Sequence, residues 1–253
     1  MDHLATDLAL AAGSARFDGP LAQAYGSTVL THPAAVPMAG VKAVSMLGTE
    51  TLLMLRAFAI EARGAIMEVG PYVGGSTIAL LQGVGASRPK TVVSIDCGGA
   101  YLEHPTMPSA DIHADWHANL AAAGYAGRAH LSRGFANTPA TAADAVAALG
   151  GERIGLIFID ANGFVWQNLR FLVEHLADDC LLVCDDVTNL LEPDDPEQNI
   201  KFGPTRQSLA DGVEAGVIEH YGTFMWGTWF GRCTRGLKAA FADLLAGEVQ
   251  RWS

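Results

Sequence analysis

The stretch that decides the fold is Glu68-Val-Gly-Pro-Tyr-Val-Gly-Gly-Ser-Thr77. It continues the apolar run 65–69, which is typical of a buried strand, and leads into a helical stretch at 76–83. The turn carries glycines at Gly70, Gly74 and Gly75. Glycines here let the backbone bend tightly and approach a ligand, and free N–H groups at a helix start favour an anionic or polar ligand group. The spacing G-x-x-x-G-G differs from the G-x-G-x-x-G of dinucleotide-binding turns.

Outward from this turn, short apolar runs alternate with Ala-rich helical stretches. The runs are 65–69, 91–95, 129–131, 154–159 and 180–184, and the predicted helices between them are 76–83, 111–123, 139–149 and 165–176. Repeated strand–helix units need crossover connections, so the pattern predicts an α/β, Rossmann-like fold with a mostly parallel seven-stranded sheet covered on both faces. Two late strands, 217–221 and 223–233, predict an antiparallel edge hairpin.

We expect a single domain over residues 1–253. Its predicted parts are a helical N-terminal extension (1–63), an α/β core that binds a cofactor (64–233) and a C-terminal helix (234–253). Apolar spacing predicts one amphipathic helix over 41–62. The acidic stretch 190–202 is predicted to be a long loop of the kind that forms lids or disordered segments.

Composition excludes several classes of protein. The chain has 16 Lys+Arg against 27 Asp+Glu, a net charge of -11, which disfavours nucleic acid as a partner. No apolar run reaches the ~20 residues that span a membrane, and the acidic N-terminus is unlike a secretion signal, so we expect a cytoplasmic protein without membrane contact. Its cysteines are expected to be reduced core thiols: Cys97, Cys180, Cys184 and Cys233.

The second strand ends in an acid. Ser94-Ile-Asp96 places a carboxylate at the carboxyl edge of the sheet, beside the glycine turn. A carboxylate there can accept both hydroxyls of a ribose, although it could also be an exposed acid that caps the next segment. Together, turn and acid favour a nucleoside-containing cofactor.

Acids also end the fourth and fifth strands, at Asp160 and at Asp185-Asp186. Burying such charges costs several kcal/mol unless they are paired or bind metal, and we expect no lysine or arginine close to them. Three converging carboxylates suit Mg²⁺, Mn²⁺ or Ca²⁺ better than zinc. The alternative is that these acids cap helices or face water.

With these residues the chain resembles the class I S-adenosylmethionine-dependent methyltransferases over roughly 41–233, and within them the cation-dependent O-methyltransferases of catechol and macrocin type. The resemblance implies an O-methyltransferase, of the kind found in bacterial secondary metabolism, with S-adenosylmethionine as cofactor. It implies cofactor contacts by Ser45, Met46, Glu68, Gly70, Tyr72, Gly74, Ser76, Thr77, Asp96, Gly134, Phe135, Ala136 and Asp160. It implies that Asp160, Asp185 and Asp186 ligate the metal.

One position departs from that resemblance. Catechol-type enzymes carry a base lysine three residues after the first metal acid, where this chain has Gly163. A macrocin-like role for Asp160 as base becomes more plausible, and His113 or His104 is the alternative.

Other functions remain open at this point. A NAD(P)-dependent oxidoreductase fits the sheet but not the glycine spacing, and a non-catalytic small-molecule-binding module would have no need of the acids. We expect a small-molecule acceptor, with a sugar or phenolic hydroxyl to be methylated. The apolar N-terminal helices and the aromatic stretch 224–230 suggest a homodimer or higher homo-oligomer. For the aromatic stretch we expect core or dimer packing, and the alternative is a part of an apolar wall around the acceptor.

Overall fold

The computed structural model describes residues 41, 44–85, 90–187, 196–223 and 227–252. The strands are β1 Ala65–Val69, β2 Val92–Asp96, β3 His130–Arg133, β4 Ile154–Ile159, β5 Leu176–Cys184, β6 Ile218–Thr223 and β7 Trp229–Cys233. The helices are α1 Thr49–Glu61, α2 Gly75–Gly85, α3 Ile112–Ala122, α4 Pro139–Ala148, α5 Val165–Leu169, α6 Pro196–Glu214 and α7 Leu237–Trp252, with a 3-10 turn at Val173–His175. Expectations for residues 1–40, 188–195 and 224–226 lie outside the described residues.

The strands form one seven-stranded sheet in the order β3-β2-β1-β4-β5-β7-β6. β1 lies parallel to both β2 and β4, and β4 is parallel to β5. β7 runs antiparallel to both β5 and β6. The predicted fold class is therefore confirmed, including the antiparallel edge. The strand order reverses between β1 and β4, which is where open α/β sheets bind ligands.

Both faces of the sheet are covered because the inner strands are apolar throughout. Alternate residues of β1 enter two separate cores: Ile66 packs with Phe58 of α1, and Met67 packs with Trp166 of α5. Every residue of β1 and β4 is buried. This double burial is why these strands appear in the sequence as continuous apolar runs.

Helix bounds differ from the sequence-based expectations in three places. The helix expected over 41–62 begins only at Thr49, after Gly48, and most of its apolar residues are buried all round. The helix expected over 165–176 ends at Leu169. The expected loop 190–202 is wrong in its last seven residues, because α6 begins at Pro196. Proline suits a first helical turn, where its missing N–H costs nothing.

The cysteines differ from the expectation at one position. Cys180, Cys184 and Cys233 are buried free thiols, but Cys97 is exposed, so the prediction of a core position is wrong for that residue. None of the described helices is both long and apolar enough to cross a membrane.

Candidate active site

The glycine turn and the end of β4 touch through their backbones. Gly70 follows β1 with a φ of 84°, and a Cβ there would lie 1.9 Å from the carbonyl oxygen of Asp160. The Asp160 N–H donates to the carbonyl of Val69 at 2.8 Å. A side chain at position 70 would push the two turns apart. Glycine therefore brings the predicted cofactor turn and the first predicted metal acid side by side.

The start of α2 is covered by the segment that precedes α1. A Cβ on Gly75 would lie 2.3 Å from the carbonyl oxygen of Val44 and 2.4 Å from Cβ of Ser45. Ser45 is buried at this contact, whereas Met46 is half exposed. The structure thus brings Ser45 onto the backbone of the helix start, and cofactor contact by Ser45 and Met46 stays a prediction.

Glu68 lies inside the fold rather than on the surface of the turn. Its Oε2 accepts hydrogen bonds from Thr77 Oγ1 at 2.6 Å and from Ser94 Oγ at 2.7 Å. Burial raises the pKa of Glu68, and the hydroxyls of Ser76, Thr77 and Ser94 oppose this. Glu68 and Thr77 are fully buried, so in this conformation they hold β1, β2 and α2 together and do not present themselves to a ligand. The direct cofactor contact expected of these two side chains stays a prediction.

Asp96 ends β2 with its carboxyl group fixed by its own loop. Its Oδ1 accepts from the N–H of Gly98 at 2.6 Å, and His113 Nε2 lies 3.1 Å from its carbonyl oxygen. Burial raises the pKa of Asp96, while Gly98 and the nearby His113 lower it. His113 therefore contacts the end of β2 and supports this loop, and its alternative role as the base stays a prediction.

Residues after β3 complete this side. The Gly134 N–H donates to the carbonyl of Asp96 at 2.8 Å. Phe135 exposes 63% of its surface, an unusual position for a phenylalanine that leaves an aromatic face open. Ala136 is buried in the core with α4, and its expected contact with the cofactor stays a prediction.

The loop 98–109 folds over the glycine turn. The hydroxyl of Tyr72 donates to the carbonyl of Met107, and its ring stacks on His104 with centroids 5.6 Å apart. Thr106 Oγ1 approaches Met46 Sδ at 3.2 Å. His104 thus anchors this loop, because its Nδ1 also accepts from the Met107 N–H at 3.0 Å.

The three predicted metal acids converge at the neighbouring strand ends. One carboxylate oxygen from each of Asp160, Asp185 and Asp186 lies within 4.8 Å of the others. Asp186 adopts a φ of 59°, a left-handed conformation that few non-glycine residues take. The backbone therefore turns sharply after β5, which brings two consecutive carboxylates to one side.

A lysine enters this cluster, so the expectation of no nearby cation is wrong. Lys201 Nζ donates to Asp160 Oδ1 at 3.2 Å and pairs with Asp186 Oδ2. Lys201 comes from α6, and a Cβ on Gly163 would lie 2.5 Å from its carbonyl oxygen. The position where catechol-type enzymes carry their lysine is therefore filled by the backbone of a helix that brings a different lysine.

Burial and charge set the protonation of this cluster. Burial raises the pKa of Asp160 to about 6, against the opposing pull of Lys201. Burial also raises the pKa of Asp185, helped by the charges of Asp160 and Asp186. Burial lowers the pKa of Lys201, but the carboxylates outweigh it and raise that pKa overall. In this arrangement Lys201 is an ammonium donor, and the raised pKa of Asp160 brings this carboxylate toward the range of a useful base.

A pair of hydrogen-bonded threonines fixes the carboxyl group of Asp185. Thr228 Oγ1 donates to Asp185 Oδ1, and Thr51 Oγ1 lies 3.0 Å from Thr228 Oγ1. Both threonines are buried. The chain of hydroxyls fixes the direction in which Asp185 presents its second oxygen.

The residues present fit both groups that the sequence implies. Gly70 and Gly75 let the turn pack directly against the end of β4 and the segment before α1, where any Cβ would clash, and the exposed ring of Phe135 leaves an aromatic face open to a cofactor. Three carboxyl groups offer oxygen ligands to a hard divalent cation.

A family comparison decides the class of protein. Residues 67–187, which run from β1 through the turn after β5, match the family model described as a methyltransferase domain. The chain carries a methyltransferase domain. The matched stretch contains the glycine turn, Asp96 and all three acids, so the predicted relationship to class I methyltransferases is confirmed.

Solved structures share the fold of this methyltransferase. Cofactor-bound Rv0187 from MTB is 22% identical, with a TM-score of 0.55 over 87% of this chain and 99% of that one. The SAH-bound methyltransferase PaMTH1 of Podospora anserina is 17% identical, with a TM-score of 0.57 over 92% and 96% of the two chains. The O-methyltransferase NovP is 14% identical, with a TM-score of 0.55 over 92% and 98%. No protein of curated function matches the methyltransferase in sequence.

Sequence reasoning missed Lys201, Thr228 and Thr51. Lys201 lies 41 residues beyond Asp160, and no spacing rule links a lysine in one helix to an acid at a distant strand end. Thr228 lies in an aromatic stretch that did not suggest a polar role. Its place one residue before β7, the strand paired with β5, could have predicted a position near the end of β5.

Proposed function

We propose that this methyltransferase transfers the methyl group of S-adenosylmethionine to a hydroxyl of a small molecule, with a divalent cation held by Asp160, Asp185 and Asp186. The observation that carries the proposal is the backbone contact between Gly70 and Asp160. It joins a turn built for close ligand approach to a cluster of three carboxylates. The cofactor-bound state of the PaMTH1 structure and the O-methyltransferase activity named for NovP support it.

The proposed role of each residue in cofactor binding follows from its position in the site. The glycine turn after β1 faces the polar end of the cofactor, the second oxygen of Asp96 accepts from the ribose, and the open face of Phe135 receives the adenine. The loop over Tyr72 covers the turn and keeps water from the reacting groups. S-adenosylmethionine supplies an activated methyl group, so positioning of the acceptor oxygen is the main task of the protein.

Asp160 is proposed as the proton acceptor. A bound divalent cation supplies Lewis-acid chemistry that lowers the pKa of a hydroxyl. Asp160 takes the hydroxyl proton, the acceptor oxygen bonds to the methyl carbon, and the bond between that carbon and the cofactor's sulfur breaks with its electron pair going to sulfur. In the metal-free protein, burial raises the pKa of Asp160 to about 6, which favours uptake of a proton by this carboxylate.

Calorimetry tests the cofactor assignment without knowledge of the acceptor. The full chain should bind S-adenosylmethionine with or without Mg²⁺ and should not bind NAD. Asp96→Ala should weaken binding by about 1–3 kcal/mol, because a hydrogen-bonding carboxylate is lost. Asp178→Ala, an exposed acid at the start of β5, is the control and should bind as the unaltered protein does. Tight binding of NAD with no response to S-adenosylmethionine would overturn the proposal.

A panel of acceptors identifies the substrate class. Sugar nucleotides with free hydroxyls, catechols and other phenols are offered with labelled cofactor, and transfer to oxygen is expected in one of these groups. Transfer to an amine or carbon acceptor alone would contradict the O-methyltransferase assignment.

A further inference from the structure

Lys201 brings a positive charge to the position where the acids would hold a metal. Its Nζ lies 3.2 Å from Asp160 Oδ1 and also contacts Asp186 Oδ2. Two of the three carboxylates proposed as ligands therefore already share a cation that belongs to the chain itself.

The backbone of Lys201 is fixed next to Asp160. Thr205 Oγ1 donates to the Lys201 carbonyl at 2.9 Å, and Gly163 leaves room for that carbonyl to approach the turn after β4. The side chain of Lys201 is 38% exposed. Its backbone is fixed, but its side chain borders solvent as well as the cluster.

An ammonium and a divalent cation cannot both occupy this cluster. Both would lie within about 4 Å of the same oxygens, and like charges at such separations repel strongly in a partly buried site. Conversely, three ionised carboxyl groups without a cation repel one another, which lowers the stability of the metal-free protein. A single cation in the cluster, either the ammonium or the metal, avoids both kinds of repulsion.

We propose that Lys201 is the resident counter-cation of this cluster, that it neutralises the acids in the metal-free protein, and that it must leave when a divalent cation binds. Lys201 thereby sets the affinity of the site for metal. The inference rests on the proposed function, from which it takes the metal site.

The test is a Mn²⁺ titration of the full chain, with free Mn²⁺ measured by electron paramagnetic resonance. Lys201→Met should bind Mn²⁺ at least about tenfold more tightly than the unaltered protein, since the competing charge is gone. Lys201→Arg keeps the charge and should bind no more tightly. Lys238→Met removes a lysine that faces Asp178, away from the cluster, and should bind Mn²⁺ as the unaltered protein does.

Thermal unfolding gives a second readout. In EDTA, Lys201→Met should melt below the unaltered protein, and Mn²⁺ should raise its melting temperature by more, because tighter binding to the native state gives a larger shift. If Lys201→Met does not fold, Lys201→Gln, which keeps a hydrogen-bond donor for the carboxylates, is titrated in its place.

The outcomes separate this inference from the proposed function. Mn²⁺ binding that is unchanged or weaker in Lys201→Met overturns the inference and leaves the metal site standing. Mn²⁺ binding by Lys201→Met alone overturns the displacement of Lys201 by metal and the cation dependence of the unaltered enzyme, because the lysine would then hold the site permanently. Absence of Mn²⁺ binding in every variant overturns both.

Discussion

Asp160 makes the metal-free protein less stable when it is ionised. Burial raises its pKa from 3.8 to about 6, so the folded state binds the proton more tightly than the unfolded state. Its stabilising contribution is therefore complete below about pH 4 and is lost as pH rises through about 6. In EDTA, the free energy of unfolding of Asp160→Asn should therefore rise relative to that of the unaltered protein, by up to about 3 kcal/mol between about pH 4 and about pH 6.

Urea unfolding in EDTA at about pH 4.5 and about pH 6.5 measures this difference. A stability gap between the two proteins that is the same at both values would show that Asp160 titrates normally.

Thr228 is expected to act through Asp185. Thr228→Val keeps the shape of the side chain but removes the hydroxyl that donates to Asp185 Oδ1. Partners that orient a metal ligand typically contribute 10–100-fold in affinity, so Mn²⁺ binding measured by calorimetry should weaken by about that factor. Thr51→Val, which removes only the next hydroxyl in the chain, should have a smaller effect. Equal losses in both variants would point to a general packing defect.

Among single residues, the sequence predicts the acids of the site better than it predicts the side chains that contact them. Asp96, Asp160 and Asp185 were predictable because a polar residue directly after an apolar run must lie at a strand end. Lys201 was not, because its approach depends on where α6 packs against Gly163. Tertiary packing of this kind has no local pattern in the sequence.

Among the elements, the placement of α6 has the clearest consequence. Gly163 has a φ of 81°, and a Cβ there would lie 2.5 Å from the Lys201 carbonyl oxygen. Gly163→Ala should therefore strain the turn and also push α6 away from Asp160. Gly151 has a φ of 89° with open space around its Cβ position, which makes Gly151→Ala the matched control for backbone strain alone.

Gly151→Ala should cost about 1–2 kcal/mol of stability, and Gly163→Ala clearly more, because only the latter adds a steric clash. Chemical denaturation measures both. If the two substitutions cost the same, the close packing of α6 on this turn is not present in solution.

Strands were more predictable than helices. The bounds of β1 and β4 match the apolar runs residue for residue, because strands buried on both faces leave an uninterrupted signal. For the first seven residues of helix α6 the sequence predicts a loop, because they are mostly polar and begin with proline. Such a helix is stabilised by packing against α5, α7 and β6 more than by its own sequence.

For the whole molecule, the oligomeric state stays a prediction. Core packing accounts for Trp229 and Phe230, which are buried within the chain, with the rings of Phe230 and Phe58 5.4 Å apart. The apolar N-terminal residues 1–40 are the remaining reason to expect a homodimer or larger assembly. Light scattering at micromolar concentration should give at least twice the chain mass of 26.6 kDa, and a particle of the chain mass alone would contradict it.

The most direct measurement of the whole account is methyl transfer under chelation. With an acceptor from the panel, EDTA should abolish transfer while S-adenosylmethionine still binds, and Mg²⁺ or Mn²⁺ should restore it. Asp185→Ala and Asp186→Ala should behave like the chelated enzyme, and Asp160→Ala should lose at least as much, because Asp160 is also the proposed base. Undiminished transfer in excess EDTA would contradict the account and leave Lys201 as the permanent cation of the site.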